Sequence, residues 1–219
     1  MTTLCIVTAA HRGNLTWMEE LGDSIAALEL PDGWEVVWAV QQDEESTKEL
    51  VELVERYPFG AYGCNGRTLG VAVTRNIALT RVPHADFVTN IDCDDRILPA
   101  FRASIDAMSD PNVIWAQGAV EDLLEDGSTV VVPPRPVGPC SPGAVSELWV
   151  AGERLPIHTI GFLARALHWR AIGGWVAGPT MSDDTFEVGC ESQYVLEVNA
   201  GWTRAHGVMA GQRVKIEGI

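Results

Sequence analysis

The sequence predicts an α/β fold: one domain with a mostly parallel central sheet flanked by helices on both faces. Two observations predict it. Short apolar runs alternate with segments of helical periodicity through residues 4–91. The chain of 219 residues, 47% of them apolar, is long enough for one sizeable core and too short to favour two. A third observation says where such a sheet would act: three aspartates, Asp92, Asp94 and Asp95, directly follow an apolar run.

The run 4–10, LCIVTAA, reads as a buried strand. A helix is expected over 15–28, where Leu15, Met18, Leu21, Ile25 and Leu28 share one face. A second strand is expected over 34–40. The next helix is expected over 45–57, with Leu50, Val54 and Tyr57 on one face. Residues 70–82 read as a third helix and 85–91 as a third strand. The second half is less regular. Two β-rich runs around 125–127, EDG, read as a hairpin. The proline- and glycine-rich stretch 133–144 reads as a surface loop, 158–175 as a strand, short helix and glycine turn, and 182–201 as a helix. The expected division is a single domain over 1–219, with a first half of about 1–98 and a second of about 99–219.

Acidic residues outnumber basic ones 30 to 15, a net charge of −15, which disfavours nonspecific attraction to nucleic acid or anionic lipid. No apolar run approaches the roughly 20 residues of a membrane span. The N-terminus lacks a basic segment ahead of a long apolar one. Five scattered cysteines without C-x-x-C spacing suit a reducing compartment, so a cytoplasmic protein is expected.

Carboxylates crowd together where a cation holds them, and magnesium or manganese favours such oxygen ligands. In an extended backbone residues i and i+2 face the same way, so Asp92 and Asp94 could address one ligand. The carboxyl ends of parallel strands are where α/β sheets bind ligands. The alternative is a solvated acidic turn.

Further motifs stand in a fixed order around this one: Arg75-Asn76 on the third helix, then D-C-D-D at 92–95, then I-G-G-W at 172–175, then S-D-D at 182–184. The ordered set resembles the inverting glycosyltransferases of family 2, which have the GT-A (Rossmann-like) fold, and the resemblance covers about residues 4–206. It implies transfer of a sugar from a nucleotide diphosphate sugar, a UDP-sugar above all, to an acceptor hydroxyl or amine. The implied cofactor is Mn2+ or Mg2+, and the implied partners are the donor and a small-molecule or glycan acceptor. A homo-oligomer is compatible with the sequence.

Carried over residue by residue, the resemblance implies donor contacts from Thr8, Ala9, His11, Gln41, Arg75, Asp92 and Asp94. It implies metal ligation by Asp94, Asp95 and His206, and acceptor contacts from Gly174, Trp175 and Asp183. Asp184 would be the catalytic base, with Asp183 orienting it or touching the acceptor. One departure stands out. The family often carries an aspartate at the end of the second strand, where Gln41 stands here; Asp43 is the match if the loop is shifted by two. Two rival functions follow from the same motifs. A nucleotidyltransferase of similar fold is disfavoured because TAAHRGN (8–14) holds one glycine. A non-catalytic nucleotide-sugar-binding protein is disfavoured because both acidic motifs are retained.

Overall fold

In this computed structural model, which describes residues 1–124, 126–132, 138–141, 147 and 160–175, strand β1 (Thr2–Ala10) is buried along nearly its whole length. Leu4 and Ile6 enter one apolar cluster and Cys5 and Val7 another, so the period-2 alternation of a strand feeds a core on each face of the sheet. On one face α1 (Leu15–Ala26) buries Met18, Leu21 and Ile25, and α2 (Lys48–Glu55) buries Leu50, Leu53 and Val54. Trp38 of β2 (Trp34–Gln42) is fully buried between them. On the other face α3 (Val71–Thr80) packs through Ala78 and Leu79.

The sheet order is β3-β2-β1-β4-β8-β5. β1 pairs in parallel with β2 and with β4 (Phe87–Asn90), and β2 pairs in parallel with β3 (Gly60–Cys64). β8 (Phe162–Arg165) lies antiparallel between β4 and β5 (Trp115–Gln117). The hairpin expected around EDG forms from β6 (Val120–Leu123) and β7 (Thr129–Val132), apart from the main sheet. β1 has a parallel neighbour on each side, so the chain switches direction across the sheet there. That leaves a crevice beyond the carboxyl ends of β1 and β4.

The α/β class is therefore as the sequence predicts, with differences in detail. The first three helices are each shorter than their periodic segments. α2 starts late because the Thr47 N–H donates to Gln42 Oε1 at 3.1 Å, and it stops before Tyr57, which precedes Pro58. β3 and a helix α4 (Phe101–Ala107) were not expected from the sequence. The expected strand, helix and turn within 158–175 are β8, α5 (Ala166–Ala171) and a turn at Gly173-Gly174. Among the described residues no helix is long and apolar enough to cross a membrane. The helix expected over 182–201 lies outside the described residues.

Candidate active site

β4 is buried to its last residue, and Ile91 beyond it is 3% exposed. The chain then turns: the Asp95 N–H donates to the Asp92 carbonyl at 3.1 Å. Cys93 points into the core with Ile97, so the residues on either side of it face outward. Burial pushes the Cys93 thiol up to about 12, with Asp94 and Asp92 adding to the shift, which keeps it neutral. Asp92 is half-buried and accepts a charge-assisted bond from Arg75 Nη2. Arg75 comes from α3 and is buried, so it is a fixed counter-charge and not a surface arginine. Asp94 is exposed, and Asp95 is half-buried. The crowding of three carboxylates is thus resolved in part by the chain itself. Arg75 pairs with Asp92, and Asp94 is exposed.

The residues after β1 and β2 take distinct roles. Thr8 is fully buried; its hydroxyl donates to the Ile91 carbonyl at 2.9 Å and accepts from Trp38 Nε1 at 3.0 Å. It braces the entry to the aspartate turn from within. Ala9 is half-buried beside Gln41 in the β1–β2 register, and His11 is exposed in the loop that follows. Gln41 is 2% exposed, and both ends of its amide are engaged: Nε2 donates to Asn65 at 2.8 Å and Oε1 accepts from Arg81 at 3.2 Å. The resemblance puts a donor-base contact at Gln41; here its side chain lies in a buried network with Asn65 and Arg81.

Asp43, two residues on, is half-buried at the strand end. It accepts from the Leu69 and Gly70 N–H groups at 2.7 and 2.8 Å and from Asn65 Nδ2 at 2.9 Å. Burial alone would raise its pKa, but hydrogen bonds from Leu69, Thr74, Asn65 and Gly70 outweigh that and lower it. Asn65 and Arg81 carry no signal in the sequence that marks them as members of this network.

The R-N and G-G-W motifs meet. Asn76 Oδ1 accepts from the Trp175 N–H at 3.0 Å, and Asn76 Nδ2 donates to the Trp175 carbonyl at 2.6 Å. The Trp175 indole packs edge-on against Trp169, centroids 5.3 Å apart, and its Nε1–H donates to Asn90 Oδ1 at 3.1 Å. Asn90 is fully buried at the end of β4, two residues before Asp92. α3 therefore holds the aspartate turn through Arg75 and the glycine turn through Asn76. Gly174 sits at φ +71°, and a Cβ there would come within 2.2 Å of Asn76 Oδ1. The second glycine of the motif makes room for this clasp.

Trp175→Phe should keep the ring against Trp169 and remove the donor to Asn90. The expected loss is about 1–3 kcal/mol in a urea titration, since a buried acceptor is left without its partner. No change in stability would mean that the indole N–H does not hold β4.

Asp183, Asp184 and His206 lie outside the described residues. Among the described residues no group of three or more His, Cys, Asp or Glu could hold a metal ion. Asp92 is bonded to Arg75, and Asp94 is the exposed carboxylate of the motif, with Asp95 beside it in the chain. Two carboxylates fit magnesium or manganese when substrate phosphates complete the set, and do not make an all-protein cage. Asp94 and Asp95 also border an open cleft of about 730 Å³ that extends to the β6–β7 hairpin.

No family model and no curated protein matches the sequence. Solved structures do. The S. aureus TarS 1-349 structure in complex with UDP-GlcNAc is 20% identical over 78% of this chain and 47% of that one, with a TM-score of 0.57. The same protein in complex with UDP is 20% identical over 78% of this chain and 48% of that one, with a TM-score of 0.54. This chain spans about half the length of the structures it matches. The likeness shows the fold: a mostly parallel sheet with flanking helices, in the GT-A arrangement that the ordered motifs imply.

Proposed function

We propose that the chain is a glycosyltransferase that moves a sugar from a nucleotide diphosphate sugar to an acceptor hydroxyl or amine, with inversion at the transferred carbon. The observation that carries the proposal is the turn at 92–95. It stands at the switch point beside β1, its first aspartate paired with buried Arg75 and its next two on the lining of an open cleft. The matched structures with UDP-GlcNAc and UDP support a uridine donor.

In this reading the nucleotide lies over the ends of β1 and β2, and the base meets Asp43, the partly exposed carboxylate there. Asp92, steadied by Arg75, faces the donor. Asp94 and Asp95 would hold Mn2+ or Mg2+, which, when bound, supplies positive charge for the leaving diphosphate. Asp184 takes the proton of the attacking acceptor group, and Asp183 orients it or touches the acceptor. Thr8, Asn90, Asn76 and Trp175 act from beneath by holding the turn in place.

UDP titrated calorimetrically into wild type with Mn2+ should bind at least about tenfold more tightly than in chelator, and Asp94→Asn should lose most of that gain. A net charge of −15 leaves an unaccompanied diphosphate repelled. Equal affinity in wild type and variant, with and without chelator, sinks the proposal of a metal-assisted donor site.

A further inference from the structure

The open cleft of about 730 Å³ lies between α1 and the β6–β7 hairpin, and Asp94 and Asp95 form its border with the donor side. Its walls join two kinds of surface. One is apolar: Trp17 of α1, 49% exposed, with Phe101 and Leu123. The other is acidic: Glu121, exposed on β6 and on the same strand face as Leu123, with Asp94 and Asp95 at the border. Arg96 is the one basic residue among the described residues of the lining, and it pairs with Glu20 at 3.4 Å. The cleft therefore offers carboxylates and an open indole face, with its arginine engaged elsewhere.

An indole face attracts a cation, best of all the aromatic rings, and also suits the apolar face of a sugar ring. Carboxylates attract the same cation and repel anions. The two features are independent and select one chemistry. We propose that this cleft binds the acceptor, and that the acceptor is an amino sugar or aminocyclitol whose protonated amine lies against Trp17 and Glu121, on the strand face that Glu121 shares with Leu123. The proposal rests on the glycosyl-transfer reading of the adjoining turn, and it excludes polyanionic acceptors from the cleft.

Three trisaccharides of equal length separate the classes: a glucosamine trimer (cationic), an N-acetylglucosamine trimer (neutral) and a galacturonate trimer (anionic). Each is titrated against tryptophan emission, with Trp17→Phe run in parallel to isolate the Trp17 signal. The glucosamine trimer should bind about tenfold more tightly than the neutral one, and the galacturonate trimer more weakly than both. High salt should erase that order. The variant Glu121→Gln, which keeps shape and removes charge, should erase it too.

Galacturonate binding as tightly as glucosamine, an order untouched by Glu121→Gln, or no trimer altering Trp17 emission would each overturn the proposal. A parallel UDP titration tells the two ideas apart. UDP binding with the trimer order absent rejects the acceptor class alone. The trimer order present without UDP binding rejects the transfer reading.

Discussion

Asp184→Asn should fold, bind UDP as the wild type does, and lose turnover by about 10²–10⁴-fold. Inversion in one displacement needs a group to accept the acceptor's proton while its oxygen or nitrogen attacks. Asp94 and Asp95 serve the leaving-group side in the proposed arrangement, so they are on the wrong side for that task. The S-D-D run offers two adjacent carboxylates, and neighbours on a regular backbone do not both face one cleft. The competing role is that both cap a helix, which aspartate does well. Asparagine caps equally well, so that role expects an active variant, whereas the base role expects an inactive one of normal stability. UDP release from an accepted UDP sugar measures turnover, and calorimetry measures UDP binding. Near-normal turnover would pass the base role to Asp183.

Gly174→Ala should destabilise the protein by about 3–4 kcal/mol. The left-handed backbone at φ +71° costs an alanine about 1–2 kcal/mol. The added Cβ also meets Asn76 Oδ1 at 2.2 Å, so the clasp to Trp175 must open, at about 1 kcal/mol for each of its hydrogen bonds. For a chain of this size the melting temperature should fall by roughly 5–15 °C. Gly173→Ala is the control. Its φ is +93°, but nothing lies within 4 Å of its Cβ, so it bears the backbone cost alone. Equal losses in the two variants would show that the clasp contributes nothing.

The elements legible in the sequence were those whose side chains follow a single period. Met18, Leu21 and Ile25 announced α1, and the unbroken apolar run of β1 announced a strand covered on both faces. β3 was hidden because Gly60-Ala61-Tyr62-Gly63-Cys64 obeys a different constraint. A Cβ at Gly63 would lie 2.3 Å from Arg81 Nη1, so the strand gives up side chains to let that guanidinium cross it.

The same arginine holds the Gln41 amide. Strand periodicity puts Gln41 at the end of β2, but it cannot reveal that Arg81 and Asn65 seal its amide and leave Asp43 at the rim. The order R-N, D-C-D-D, G-G-W was visible as a pattern. Its reason was not, because Asn76 and Trp175 are distant in the chain and meet only through α3. Trp17 escaped notice for a simple reason: it is one of eight tryptophans, and composition does not say which of them stays in water.

The antiparallel strand β8 has a consequence for the order in which the molecule can be made. A ribosome delivers β1 through β4 first, and these four can pair with one another as soon as residue 90 is clear. β5 follows them but pairs with none of them; its partner in the sheet is β8. During synthesis, at about 5–20 residues per second, the exposed edge of β4 and the whole of β5 wait for Phe162–Arg165 to slot between them. The parallel part of the sheet is thus assembled before the chain that closes it exists. A nascent chain halted between β5 and β8 would carry the open edge of β4 and an unpaired β5, and open strand edges are templates for pairing with other chains.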